Sequence, residues 1–417
     1  MGKKSEVTFS PAVAVATGEV RFSVELKDWD AEGDRSNSLA LFGWCVSTSG
    51  KPLAVELYLH GTPVASSYLH VERPDVVKAL ARPEAPLSCG FHMRLSKLLL
   101  PRGAILEVQL WVERESGGSA RVPLGTLSGL PTADAMTQYA ERYQPLLLLG
   151  MGRSGTSYLM RLLAAHSEIL VPGPHPYEMR QPVWFWQAAH VLSSPASVTS
   201  ASSEGFEAND ADWLGYNPYR SRDWEKITGA PIAMQWQEEV LPISCIDFCK
   251  RQVDEFVARY SVGRSGPPRY IAQKMLISPA RYLVRNIYQD AREIFLVRDF
   301  RDVWLSARSI NRRRGLASFE RSKFPNDLEW LRGLAFSSRQ IRLAHTATGP
   351  QAQLIKFEDL MRDPHSTLSH MLSQLGVDGS PARVGAMISE ANSTELTTHN
   401  LTGRPSQTST AVAGGRR

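Results

Sequence analysis

The sequence predicts two units of different class: a small all-β sandwich, and after it an α/β unit in which helices flank a parallel, P-loop-like sheet. Three observations carry the prediction. Residues 18–127 alternate apolar and polar side chains with period two, the mark of half-buried strands. From Pro145 onward, short wholly apolar runs alternate with stretches of helical periodicity, as buried parallel strands and their crossover helices do. The first such run, Leu146–Leu149, ends on the glycine-rich turn Gly150-Met-Gly-Arg-Ser-Gly155, and a helix-like stretch follows at once.

The chain has 417 residues, enough for two or three domains. The expected division is 1–17 as a flexible N-terminus, 18–127 as the sandwich, 128–144 as a polar linker and 145–417 as the α/β unit. A hydrophobic share of 43% and a charged share of 21% exclude a mostly disordered chain. The net charge of +5, from 47 basic and 42 acidic residues, is too mild to select a partner, and no nucleic-acid partner is expected. No apolar run approaches the roughly 18–20 residues of a membrane span. The N-terminal stretch lacks the apolar core of a secretory signal, and Glu6 stands where the myristoylation pattern wants Ser or Thr. Cys45, Cys89, Cys245 and Cys249 are too few and too scattered for a disulfide framework, and no second His/Cys pair completes a zinc set. They read as small buried residues in a reducing, cytoplasmic setting, and no metal site is expected.

In the sandwich, Leu53, Val55, Leu57 and Leu59 alternate with Ala54, Glu56 and Tyr58, and Leu106, Val108, Leu110 and Val112 repeat the pattern. Turn signals at Ser49-Gly50, His60–Pro63, Pro101–Gly103 and Ser116–Gly118 separate about six or seven short strands. Arg73–Leu80 has room for a short helix. No acid, base or nucleophile clusters here, so the segment is assigned binding or spacing.

In the α/β unit, Leu146–Leu149 is a buried strand. Thr156–His166 is a helix with Leu159, Leu162 and Leu163 on one face. Val240–Tyr260 is a longer helix, with Ile246, Cys249, Val253, Phe256, Val257 and Tyr260 in register. Ile294–Val297 and Gln353–Ile355 are further strands. Ser193–Trp224, rich in Ser, Asn and Asp, reads as a surface excursion over the site.

Gly150 and Gly155 have the spacing of a nucleoside-triphosphatase loop, but Thr156 stands where its lysine belongs. The only cation in the loop is Arg153. Loop amides and a helix dipole bind a phosphate whatever residue follows. Without the lysine that reaches β/γ-phosphates, the loop suits a single phosphate bearing a different group. Its candidate ligands are Gly152, Arg153, Ser154, Gly155, Thr156 and Ser157. A second constellation lies in "REIFLVRDFRDVWLSARSINRRR". Arg298 falls just past a strand and Ser306 eight residues on, placed to meet a second phosphate at the carboxyl edge of the sheet. Taken alone, the Arg-Asp-Phe-Arg-Asp run reads as a salt-bridged turn.

"GMGRSGTSYLMRLLAAH", "IFLVRDFRDVWLS" and "LIKFEDLMRDPHSTLSHMLSQLGV" occur in that order, and residues 145–417 resemble a sulfotransferase that uses 3′-phosphoadenosine-5′-phosphosulfate (PAPS). The resemblance implies the sulfotransferase fold, PAPS as co-substrate, 3′-phosphoadenosine-5′-phosphate (PAP) as product, no metal, and a hydroxyl acceptor. It makes the first motif the 5′-phosphosulfate loop, in the Arg153 form of tyrosylprotein and many bacterial sulfotransferases. It assigns Arg298 and Ser306 to the 3′-phosphate. Lys274, in "YIAQKMLISP", matches a family lysine on the sulfuryl or bridging oxygen, so Lys274 and Arg153 join the catalytic candidates. The base is sought in "VPGPHPYEMRQPVWFW": Glu178 first, its pKa raised by packing among Tyr177, Trp184 and Phe185, with His175 as the alternative. The ending "SQTSTAVAGGRR" departs from the family's nucleotide clamp, with Gly415-Arg-Arg417 as a remnant of it or the chain cut short.

"FGWCVSTSGKPLAVELYLHGTPV", "RPDV" and "SCGFHMRL" resemble a β-sandwich module seen beside bacterial sugar-modifying enzymes. That resemblance points to a saccharide acceptor on a glycan or glycolipid-like molecule; peptidyl tyrosine or a small metabolite stays open. A P-loop kinase would require the lysine and a strand-end Asp for magnesium, and Thr156 and Arg298 hold the nearest positions. A non-catalytic nucleotide- or glycan-binding protein of the same fold is the remaining alternative.

Overall fold

The computed structural model describes residues 7–16, 18–27, 37–48, 50–81, 85–101, 103–114, 119–130, 137–193, 236–264, 266–275, 277–278, 280–315, 321 and 324–393. The expected excursion at 194–224, the carboxyl-terminal ending, the turn at Ser116–Gly118, and Ser49 and Arg102 within their turns lie outside these residues.

Eight strands precede residue 130: β1 (Thr8–Pro11), β2 (Val20–Lys27), β3 (Ser38–Ser47), β4 (Lys51–Leu59), β5 (Thr62–Tyr68), β6 (Gly90–Ser96), β7 (Leu106–Glu113) and β8 (Ser119–Ser128). They form two antiparallel sheets, ordered β1-β8-β7-β4-β5 and β2-β3-β6. Their apolar faces meet in one core, Leu57, Val108 and Leu110 from the first sheet with Leu41, Phe91 and Met93 from the second. Phe22 ties the layers, 5.2 Å from Phe9 and 6.0 Å from Phe91 between ring centroids. The helix Pro74–Ala79 falls inside the expected 73–80 stretch, with Pro in its first turn. Residues 8–16, expected to be flexible, instead form β1 and the helical turn Val13–Ala16. The reason is pairing: β1 covers the free edge of β8, Thr8 opposite Ser128.

The second unit is built on β9 (Gln144–Gly150), β10 (Ile169–Leu170), β11 (Tyr270–Met275), β12 (Arg292–Val297) and β13 (Ala352–Lys356), in the order β10-β11-β9-β12-β13, all parallel. Strand β9 is buried on both faces, which is why its leucines run without polar interruption. Leu146 and Leu148 pack with Leu159, Leu162 and Leu163 of the helix Thr156–Ala164 and with helices Pro364–Leu375 and Pro381–Ser393. Leu147 and Leu149 face the other layer, which holds helices Gln181–Ser193, Leu241–Tyr260, Ala280–Ile287 and Asp327–Thr348.

That layer also touches the sandwich. Asn286 Nδ2 donates to the Leu98 and Leu100 carbonyls at 2.6 and 3.3 Å, and Tyr282 Oη donates to the Leu59 carbonyl at 3.2 Å. The connection at 137–143 is pinned to the helix Leu241–Tyr260: Tyr139 Oη and Arg142 N–H donate to Asp254 at 2.9 and 2.8 Å, and buried Lys250 pairs with Glu141 at 2.7 Å.

Candidate active site

Strand order reverses at β9, and the carboxyl ends of the strands beside such a reversal are where open α/β sheets bind ligands. The loop leaving β9 reaches the helix Thr156–Ala164 through Gly155 at φ 98°. A Cβ added there would lie 2.3 Å from the Phe357 ring, so both conformation and space demand glycine. Gly155 caps the helix without a side chain, and among the described residues no side chain accepts from the first-turn amides. This is the anion-binding end of a helix.

Arg153 is left-handed as well, at φ 69°, and two partners from far along the chain bracket it. Its Nε donates to Ser306 Oγ at 3.3 Å, and its carbonyl accepts from Arg298 Nη1 at 3.3 Å. Arg298 stands just past β12, and Ser306 lies on the helix Phe300–Arg314. The Arg298 guanidinium lies 4.7 Å from the Phe357 ring centre, and its buried Nε has no hydrogen-bond partner among the described residues. An orphaned arginine donor beside a helix N-terminus fits an anionic group.

The Arg-Asp-Phe-Arg-Asp run therefore divides its work. Asp299 caps the helix, accepting from Arg301 N–H at 2.9 Å, and pairs with the Arg301 guanidinium at 2.5 Å. Hydrogen bonds from Arg301 hold the Asp299 carboxyl at about 2. Arg298, left out of that salt bridge, turns to the loop. Glu358 Oε1 accepts from Asp299 N–H at 2.9 Å and fixes the turn.

Ser154 corrects an expectation. It is fully buried, and both its hydroxyl and its N–H donate to the Met151 carbonyl, at 2.7 and 3.2 Å. Its side chain is spent closing the loop and is not turned outward as a ligand. Gly152 is exposed at the loop's tip, and Thr156 and Ser157 open the helix half-buried.

On the other side of Ser157, Lys274 emerges near the end of β11. It is almost wholly buried, and its Nζ donates to the Pro176 carbonyl at 2.7 Å, to Ser157 Oγ at 3.4 Å and to Glu178 Oε1 in a very short contact. Arg180 holds the second Glu178 oxygen at 2.5 Å. Burial pulls the Lys274 pKa below its ordinary 10.5, and Glu178 opposes that only in part.

Glu178 departs from the expected raised pKa. Partial burial pushes it up, but the Lys274 and Arg180 cations outweigh that push and leave it below the ordinary 4.5. The aromatic packing invoked for a raised value is elsewhere: Trp184 and Phe185 pack edge-on against each other at 4.8 Å, while the Glu178 side chain stays 47% exposed. His175 lies on the same turn, its ring edge-on to Tyr177 at 5.8 Å.

Thus Arg153, Arg298 and Ser306 meet on one side of the helix start, and Lys274 and Glu178 on the other. Sequence reasoning missed Phe357, Arg180, Glu358 and the Pro176 carbonyl. Phe357 had a usable signal, since it directly follows β13 at the same carboxyl edge as the glycine loop and Arg298.

The parallel sheet, the lysine-less glycine loop and the two arginines come together at one carboxyl edge of the sheet. A family model described as "Sulfotransferase family" matches residues 145–381, more than half of the chain. The chain belongs to the sulfotransferase family and is a sulfotransferase. The comparison with curated proteins returned no match. Among solved structures, the chain is similar to the sulfotransferase domain from the curacin biosynthetic pathway (16% identity, 59% of this chain and 77% of that one, TM-score 0.34). It is also similar to the sulfotransferase domain of the Synechococcus PCC 7002 olefin synthase (20%, 64% and 86%, 0.33) and to a mouse sulfotransferase complexed with PAP (12%, 63% and 68%, 0.33).

Proposed function

We propose that this sulfotransferase takes its sulfuryl group from PAPS, releases PAP, and delivers the group to a hydroxyl of a glycan or glycolipid-like saccharide. The observation that carries the donor assignment is the bracketing of Arg153 by Arg298 and Ser306 beside a bare helix N-terminus, with Lys274 and Glu178 across Ser157. Two arginine positions suit two phosphate-type groups.

The donor brings an activated sulfuryl group; the chain supplies charge, position and a proton acceptor. Arg153 and the amides of Gly152, Gly155, Thr156 and Ser157 neutralise the 5′-phosphate as it leaves. Arg298 and Ser306 hold the 3′-phosphate and set the register of the nucleotide. Lys274 stabilises negative charge on the transferring oxygens. Glu178, a carboxylate at neutral pH whose cation partners lower its pKa further, takes the acceptor's proton, and His175 is the second candidate on the same turn. Arg and Lys supply the charge that a metal would, so turnover without added metal is expected.

The saccharide acceptor rests on the sandwich's likeness to modules beside sugar-modifying enzymes. We assign the enzyme to the cytoplasm on its four free cysteines; no helix among the described residues is long and apolar enough to cross a membrane. Calorimetric titration with PAP tests the donor: magnesium-independent binding is expected, and magnesium-dependent preference for ATP would return the kinase reading. A screen of glycans, glycolipids, tyrosine peptides and small hydroxyl compounds with labelled PAPS, read by mass gain, tests the acceptor. Transfer to the peptides alone would overturn the saccharide assignment, and PAP binding with no transfer would favour a non-catalytic role.

A further inference from the structure

The helix Asp327–Thr348 carries a solvent face that its packing does not explain. Trp330, Ile341 and Ala344 point into the protein and are buried. At about 100° per residue, Leu328, Arg332, Phe336, Arg339 and Leu343 fall in one sector on the opposite side. Leu328, Phe336 and Leu343 are 56%, 62% and 46% exposed. An outward helix face is ordinarily polar throughout. The charge on this helix is also one-sided: after Glu329, which pairs with Arg332 at 2.5 Å, it has no acidic residue, while Arg339 and Arg342 are exposed.

We propose that this face lies on an anionic lipid bilayer. Leu328, Phe336 and Leu343 enter the boundary between headgroups and acyl chains, and the arginines meet lipid phosphates. Arginine suits this mixed stripe because its stem runs along apolar surface while its guanidinium stays at headgroup level. Basic groups near an anionic leaflet are drawn to it over a Debye length. A stable protein partner fits less well. The stripe is one helix wide and about 22 Å long, short of the roughly 1,000 Å² that such a contact buries. A bilayer, by contrast, holds proteins through a few apolar groups combined with basic charge. The inference is independent of the sulfuryl-transfer reading.

The test is flotation of the full chain with vesicles of phosphatidylcholine alone and of phosphatidylcholine with phosphatidylserine. Binding to the anionic vesicles, weakened by salt, is expected. Arg332→Glu with Arg339→Glu, and separately Phe336→Ser with Leu343→Ser, should each cut partitioning on the order of tenfold. Unchanged circular dichroism and PAP affinity will show that both variants are folded. Failure of the unsubstituted chain to bind PAP would sink the donor assignment and leave the vesicle result standing. No flotation with any vesicle, or flotation that both variants retain, overturns the proposal. So does a dimer, seen by light scattering, that Phe336→Ser with Leu343→Ser dissolves, since the face would then join two copies of the chain.

Discussion

Arg298 is the residue on which the proposed donor recognition turns: among the described residues its buried Nε has no hydrogen-bond partner, and its guanidinium lies 4.7 Å from the Phe357 ring centre. Arg298→Ala should weaken PAP binding by about 1.5–3 kcal/mol, the worth of a charge-assisted contact. Equal affinity in the folded variant would remove Arg298 from the site. Glu178→Gln should lower single-turnover transfer by roughly 10²–10⁴-fold with nucleotide affinity nearly intact, since the amide cannot accept the proton. His175→Ala should cost less; a dead His175 variant beside an active Glu178 variant would reverse the assignment. The pH profile separates the two bases independently. The folded pKa of Glu178 lies below 4.5, so its basic form persists as pH falls, and the acid limb should come below that value. A histidine base would place the limb closer to neutrality. Lys274 is shifted down from 10.5, so the alkaline limb should come earlier than for an ordinary lysine. Stability follows the same sign: the Glu178 contribution is present above 4.5 and lost as pH falls through its lower folded value.

Among the elements, the strand–loop–helix unit from β9 to Ala164 depends on a contact with an element two hundred residues away. Gly155→Ala forces a side chain into left-handed backbone and into the Phe357 ring. A loss of about 1–3 kcal/mol in chemical denaturation is expected from the backbone alone, together with weaker PAP binding. Combining it with Phe357→Leu should recover part of the loss, because the ring is one of its two causes. Full stability in Gly155→Ala would mean that the loop can relax away from β13. The helix after β12 is held differently, by Asp299 at its cap and Glu358 behind its first turn. That arrangement lets one basic run hold a salt bridge and still leave Arg298 turned to the loop.

The sandwich and the α/β unit of the whole molecule share an apolar core, yet every candidate site residue belongs to the second unit. A chain starting near Thr137 keeps the ties of 137–143 to Asp254 and Lys250. It should therefore fold and bind PAP with near-normal affinity. It should also melt at a lower temperature, since Tyr282 and Asn286 lose carbonyl partners on Leu59, Leu98 and Leu100. A truncated chain that folds but does not bind PAP would show that the sandwich contributes to the site.

What the sequence determined by itself was whatever local order dictates. The leucine run of β9, the glycines at 150 and 155, and Arg298 and Ser306 at fixed offsets from β12 were legible because strand, turn and helix periods are written in consecutive residues. The same local logic misread Ser154, whose hydroxyl turns inward to Met151, and gave Glu178 an apolar setting that it does not have. Tertiary structure alone decided that Lys274 would clamp Glu178 across 96 residues, that Phe357 would sit between Gly155 and Arg298, and that β1 would close the β8 edge. Those are meetings between separate elements. They depend on strand order and on which side chains share an edge, and no periodicity within one segment encodes either.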